Sequence, residues 1–331
     1  MIKVKKLGKL CLKSLILFLC IFLLNNLLNT LDLFEQNKNN EISDTNVEDV
    51  EKQDSNIEKN KIVESTIDNN NSGGNNISND FKYMNVHYID VGNGDSIFIE
   101  LPNNTNMLID AGESSKGDNV VDYIKSLGYS NINYIIGTHP HTDHIGGLSK
   151  IINSFTIEKI YMPKVISTSK TYENLLNTIM NKGLKIQTAR AGMNIINSQG
   201  LLVTILAPNN DSYADLNNYS VVVKIEYQDV KFLFMGDAEE KSENEILDDV
   251  ESDVIKVGHH GSNTSSSKKF VSRVNAKYAI ISVGSDNNYN HPNMDIVNRW
   301  KDADAKVYRT DLDGTIVVST NGSTLNVEKE K

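Results

Sequence analysis

From residue 81 onward the chain predicts an α/β domain built as two sheets packed face to face and covered by helices. Two observations carry that expectation: short β-rich runs alternate with amphipathic stretches, and the runs fall into two strand-rich halves with helices between them. A third concerns function, because several of the runs end in clusters of His and Asp where a loop begins.

Met84 to Val91, Ser96 to Leu101 and Met107 to Ile109 read as strands in series, parted by Gly92-Asn93-Gly94 and Pro102-Asn103-Asn104. Asp118 to Leu127 reads as a helix, since Val120, Val121, Ile124 and Leu127 share a face and Gly128 follows as a stop. Ile132 to Ile136 is the next strand, with a helix opened by Gly146-Gly147 and running to about Ile152. Strands are expected over Ile157 to Met162, Leu184 to Gln187 and Leu201 to Leu206, with a helix around Tyr172 to Asn181. Tyr219 to Tyr227 and Lys231 to Met235 form a hairpin turning at Gln228-Asp229. A helix from Ala238 to Leu247, a strand Val254 to Val257, a helix near Ser267 to Val274 and a strand Tyr278 to Val283 come next. His291-Pro292 reads as a helix start, and strands near Val307 and Ile316 close the chain.

Upstream the composition changes twice. Residues 1 to 31 hold Lys3, Lys5, Lys6, Lys9 and Lys13 and no acid, and Leu15 to Leu24 is unbroken apolar sequence. That order predicts a signal anchor or signal peptide over residues 1–33, and the absence of a small-x-small pattern after Leu24 favours the anchor. The positive-inside rule then sends the rest of the chain outward, so the expected location is the cell membrane with the domain outside, or secreted if the segment is cleaved. Both cysteines, Cys11 and Cys20, fall in this segment, which leaves the exported part without a disulfide. Residues 34–80 are rich in Asn, Ser, Asp and Glu and too poor in apolar groups to bury a core, so they predict a flexible polar tether. The folded domain is expected over residues 81–331.

Chemistry concentrates in Thr138 to Leu148, where three of the chain's seven histidines and one aspartate stand between His139 and His144. Imidazole is the commonest metal ligand at neutral pH, and an aspartate among histidines adds an anionic oxygen that a dication accepts. On an extended chain His139 and His141 project to one side, while Asp143 and His144 lie past the bend and can face a second position, so one turn could serve two metals. Asp110, Asp237 and His259-His260 end other strands and are metal-competent too. His87 stands alone inside a strand and reads as structural, and Asp90 and Asp95 flank a glycine turn. Residues 81 to 331 carry a net charge of −7 and lack the broad basic footprint of a tight nucleic-acid binder, so a phosphate-bearing substrate would have to be drawn in locally.

The run His139-x-His141-x-Asp143-His144 with outlying Asp237 and His259-His260 resembles the signature of the metallo-β-lactamase superfamily. Ile89-Asp90-Val91-Gly92-Asn93-Gly94-Asp95-Ser96, Gly258-His259-His260-Gly261-Ser262, Ser282-Val283-Gly284 leading to Asn287 and His291-Pro292, and Arg309-Thr310-Asp311 with Gly314 resemble more closely the hydrolase domain of ComEC-type competence proteins. The resemblance covers almost all of residues 84 to 318. It implies an αββα sandwich with two divalent metal ions along one edge. His139 and His141 would bind the first, Asp143 and His144 the second, with Asp237 bridging them. His260 would complete the second set and leave His259 to face substrate, an assignment that could be reversed. Asp110 would hold a ligand histidine or the bridging solvent from behind.

Many members of the superfamily complete the first metal's set with a further histidine; here none occurs between His144 and His259, and Asn217 and Asn218 stand roughly there. Zinc is the expected metal, and an oxygen-rich set would suit manganese as well. The implied activity is hydrolysis of phosphodiester bonds, with Asp143, His259 and His291 as the catalytic groups beside the metals and DNA as a possible substrate. His291 would protonate the leaving group or hold a phosphate. The alternatives are a phosphodiesterase on another extracellular substrate, such as a phosphocholine-decorated polymer, or a non-catalytic metal-binding accessory protein. The membrane is the one partner besides substrate, and no protein partner can be inferred.

Overall fold

The computed structural model describes residues 83–285 and 287–331, so the expected anchor over residues 1–33 and the tether over 34–80 lie outside the described residues. The described fold is an α/β sandwich of two sheets. In the first, eight strands run in the order β15-β14-β1-β2-β3-β4-β5-β6; in the second, seven run β13-β12-β11-β10-β9-β8-β7. The first sheet holds β1 (Met84–Tyr88), β2 (Ile97–Glu100), β3 (Asn106–Ile109), β4 (Asn131–Ile136), β5 (Thr156–Pro163), β6 (Ile186–Ala189), β14 (Ile316–Thr320) and β15 (Leu325–Lys329). The second holds β7 (Asn194–Ser198), β8 (Leu201–Ala207), β9 (Val222–Tyr227), β10 (Val230–Phe234), β11 (Val254–Lys256), β12 (Tyr278–Ile281) and β13 (Lys306–Arg309).

Strand alternation sorts the apolar residues into three layers. Val86, Tyr88, Ile97, Ile109 and Ile136 of the first sheet meet Val223, Ile225, Phe232, Phe234 and Ile280 of the second between the sheets. Their neighbours on the same strands point outward. Phe98, Leu108 and Ile135 pack under the helices Gly117–Ser126, Leu148–Ser154 and Lys170–Asn181, through Val120, Ile124, Ile151 and Leu175. Leu233, Ile255 and Ile281 pack under Lys268–Val274 and Met294–Asp302, where Trp300 is fully buried. Each large apolar side chain taken out of water in this way contributes roughly 1.5–3 kcal/mol.

β3, β4, β5 and β6 run parallel, as do β10, β11, β12 and β13. In open α/β sheets the loops after the carboxyl ends of parallel strands form the binding edge, and the loops after β3, β4, β10, β11 and β12 carry Asp110, His139 to His144, Asp237, His259-His260 and His291.

Several elements differ from the sequence expectation. Leu184 to Gln187 shifts to β6 at Ile186–Ala189, and the helix over Ala238 to Leu247 contracts to Glu240–Glu245. β7 and β15 were not expected: Asn-Ile-Ile-Asn-Ser and Leu-Asn-Val-Glu-Lys are largely exposed edge strands whose polar content hides the alternation. The helix start assigned to His291-Pro292 falls three residues later, at Met294, because the Asn293 side chain accepts from the Asp295 N–H at 2.8 Å and caps it there.

Candidate metal centre

The turn after β4 is tighter than an extended reading suggests. His141 is the N-cap of a single helical turn, Thr142–Ile145, which ends at Gly146, and Gly147 then caps the expected helix, Leu148–Ser154. Asp143 and His144 therefore project from a helical turn. The pocket around the turn excludes any side chain at Gly94 and Gly147. A Cβ on Gly94 would sit 1.9 Å from the Asp143 carbonyl oxygen, and one on Gly147 2.2 Å from that of Ala111. The glycines let the β1–β2 loop and the end of β3 press against the metal turn.

Among the described residues three donor groups result, one of them Asp95, Asp110 and His144, while the other two meet at Asp237. In one, Asp143, His144, Asp237 and His260 bring one ligand atom each within 4.8 Å of the others; in the second, His139, His141 and Asp237 do the same. His144 Nε2 lies 3.2 Å from His260 Nε2 and 3.1 Å from Asp237 Oδ2, and Asp143 Oδ2 lies 3.7 Å from His144 Nε2 and 3.5 Å from His260 Nε2. His139 Nε2 lies 3.0 Å from His141 Nδ1 and 3.6 Å from Asp237 Oδ2. Asp237 is the one residue common to both groups.

The residues fit a pair of cations. Tetrahedral zinc with Zn–N bonds of about 2.0–2.1 Å holds its donor atoms about 3.3 Å apart, close to the two imidazole separations. Asp237 Oδ1 is buried with no hydrogen-bond donor and stands 3.3 Å from His260 Nε2; a buried carboxylate oxygen facing imidazole nitrogens is satisfied by a metal ion between them. The local field points the same way. Burial lowers the basicity of His260 and His144, yet the Asp237 and Asp143 carboxylates more than offset it, holding His144 well above its ordinary value and bringing His260 up to about 10. His139, where burial and then His144 dominate, stays well below its ordinary value and is a neutral imidazole.

The donor rings are held from behind. His144 Nδ1 faces Asp110 Oδ2 at 2.8 Å, and Asp110 in turn accepts from the Thr138 N–H at 2.8 Å and the Thr138 hydroxyl at 2.6 Å. Asp110 has φ 57°, a left-handed conformation that turns its carboxylate off the end of β3 and under the histidine. His260 Nδ1 faces the Ser282 carbonyl oxygen at 2.9 Å. His139 Nδ1 lies 3.1 Å from the Thr138 hydroxyl and 3.4 Å from the Ser220 hydroxyl, which also accepts from the Asp237 N–H at 3.0 Å.

The paired histidines part for a reason other than strand alternation: both adopt left-handed backbone, φ 48° and 52°, after β11 has ended. Such a conformation costs on the order of 1–3 kcal/mol at a non-glycine residue. It aims His260 into the first donor group and leaves His259 partly exposed, with Nδ1 3.0 Å from the Thr264 hydroxyl and Nε2 3.9 Å from Asp237 Oδ2. The His291 ring stands 5.3 Å from that of His259 and 6.3 Å from that of His260. Burial, then His259 and His260, push His291 down to about 4, so it is uncharged at neutral pH. Asn217 and Asn218 are instead tied to Glu239, their Nδ2 groups donating to its carboxylate at 3.5 and 3.0 Å. His87 is apart from the centre, between Glu100 Oε1 and the Tyr123 hydroxyl, each at 2.9 Å.

An α/β sandwich of two sheets covered by helices, with His and Asp donors gathered at the carboxyl edge of both sheets, defines a class of metal-binding folds. The metallo-beta-lactamase superfamily model matches residues 89–285, and the chain belongs to that superfamily. It is similar to the ComE operon protein 3 of Bacillus subtilis, 29% identical over 251 residues that cover 70% of this chain and 32% of the relative. It is also similar to recombination protein 2 of Haemophilus influenzae, 28% identical over 252 residues covering 74% of this chain and 30% of the relative. Competence protein ComA of Neisseria gonorrhoeae is 26% identical over 232 residues, 69% of this chain and 31% of the relative. The matched part thus spans about a third of the length of these relatives. Among solved structures, CmlA, a diiron beta-hydroxylase from Streptomyces venezuelae, shares the fold with a TM-score of 0.50 at 14% identity, over 72% of this chain and 54% of that one.

Proposed function

We propose that the chain is a metal-dependent hydrolase of phosphodiester bonds that acts as a nuclease on DNA outside the cell, tethered to the membrane by residues 1–33. The observation that carries the reading is the convergence of two donor groups on Asp237, an arrangement suited to a pair of divalent ions. His139, His141, Asp143, His144, Asp237 and His260 would hold them, zinc suiting the imidazole-rich sets and manganese being the alternative. When bound, such a pair acidifies water and neutralises charge that builds on phosphoryl oxygens.

The side chains of this chain divide the remaining work. His139, His144, Asp110 and Asp237 are buried, whereas His141, Asp143, His259 and His291 are partly exposed and line the side open to substrate. An uncharged His291 can hydrogen-bond a non-bridging or leaving oxygen without adding a fixed charge. His259, held at Nδ1 by Thr264, presents Nε2 to the same space. The names of the relatives, competence and recombination proteins, support DNA as the substrate.

The test is to assay the purified full chain for bound metal and for cleavage of single-stranded DNA, duplex DNA and a small phosphodiester, beside Asp237→Asn. Cleavage of DNA that Asp237→Asn abolishes supports the proposal, and a protein that binds metal but cleaves none of the three removes it. Reaction with the small diester alone moves the substrate away from DNA. Placement outside the cell predicts that protease added to intact cells degrades the domain.

A further inference from the structure

β11 reads Val254-Ile255-Lys256, a lysine inside a buried strand between β10 and β12. Ile255 faces the outer helices and Val254 faces the space between the sheets, so alternation turns Lys256 into that space as well. It is fully buried, and its Nζ crosses the sandwich to Asp95, on the β1–β2 loop of the other sheet, at 2.7 Å from Oδ2; it also donates to the Val257 carbonyl at 2.9 Å. The two partners are 0% and 1% exposed. A buried pair of this kind gives little net stability, because desolvating both ions offsets their attraction, so its presence asks for another role.

The free oxygen of Asp95 indicates that role. Oδ1 is buried, has no hydrogen-bond donor of good geometry, and lies 3.4 Å from His260 Nδ1. The backbone of Asp95 is fixed at both ends of the site: its N–H donates to the Asp143 carbonyl at 3.3 Å, and its carbonyl accepts from the Gly112 N–H at 2.8 Å. Asp95 thus touches the metal turn through its backbone and His260 through its side chain, while Lys256 grips the other carboxylate oxygen.

We propose that Lys256 and Asp95 form a buried positioning pair for His260, the ammonium fixing the carboxylate so that His260 keeps its proton on Nδ1, shared between Ser282 and Asp95, and turns Nε2 toward the donor group. His144 has the matching arrangement in Asp110, where Thr138 supplies the donors that Lys256 supplies here. Neither residue touches substrate, and the inference rests on the metal-centre reading given above.

The test uses the full-length protein with Lys256→Met, Asp95→Asn and the double variant, measured by zinc competition against a chromophoric chelator and by ¹⁵N chemical shifts of the His260 ring in the zinc-loaded protein. Each single variant should weaken the tighter zinc site by about 10–100-fold, and the His260 shifts should show loss of the fixed tautomer while those of His139 stay in place. The double variant leaves no unpaired buried charge, which keeps a folded protein in hand, and it should weaken zinc no more than either single variant, because the two residues act as one unit. Unchanged zinc affinity and unchanged His260 shifts in the folded double variant would overturn the inference. Wild type that binds no zinc would remove the metal-centre reading itself, so the two failures are told apart.

Discussion

The two donor groups that meet at Asp237 differ in number and in backing. One offers Asp143, His144 and His260 beside the shared carboxylate, with His144 and His260 each braced at Nδ1 by a buried oxygen. The other offers only His139 and His141, and His139 is backed by hydroxyls alone. A four-donor set can close a tetrahedron around an ion; a set of three leaves a position open, as catalytic sites do. Under the proposed function, the difference implies a division of labour in which the fuller group would anchor metal and the sparser one would keep room for substrate or water.

The largest expected effect that would break this picture is at the shared residue. Asp237→Asn should lower hydrolysis by on the order of 10³-fold and reduce bound metal at both groups, read by elemental analysis and initial rates. Metal removal comes next. Because most of the donors are buried and Asp237 Oδ1 has no hydrogen-bond donor, adding zinc to chelated protein should raise Tm, with about 2.7 kcal/mol gained at a hundred times Kd; a Tm indifferent to zinc would contradict the assembly. Replacing the brace rather than a ligand should cost less: Asp110→Asn is expected to weaken the fuller group by about 10–100-fold and leave the sparser one alone, as separate binding isotherms would reveal.

How much of this could be read beforehand follows from the range of each interaction. His139 to His144 is a local cluster at a strand end, and the assembly with Asp110, Asp237 and His260 was legible because each ends a strand of its own. Lys256 and Asp95 were not joined in the sequence reading, since their contact spans two sheets and 161 positions of chain; the one local signal was a charge inside the apolar run Val254 to Val257. The layered core was legible wherever alternation is apolar against polar, as in β1 and β10, and illegible at β7 and β15, whose edges face water. Both His259 and His260 depart from alternation because left-handed backbone is set by the fit of the whole loop.

The smallest predicted effect lies far from the centre and serves as its control. Glu100 is held down to about 2, from an ordinary 4.5, chiefly by its bond from His87, against burial and with help from Tyr129 and Asn85. A carboxylate depressed in the folded state stabilises above its unfolded value, and that stability is lost as pH falls from about 4.5 toward 2. Glu100→Gln should therefore be less stable than wild type at pH 7, with the gap narrowing toward pH 3 in urea titrations, while zinc binding at neutral pH is unchanged.

The unequal pair is tested most directly by calorimetric titration of metal-free protein with zinc, in wild type, His144→Ala and His141→Ala. Two binding events are expected in wild type, the tighter lost in His144→Ala and the weaker lost in His141→Ala. A single event, or two events that both substitutions weaken equally, would contradict the account.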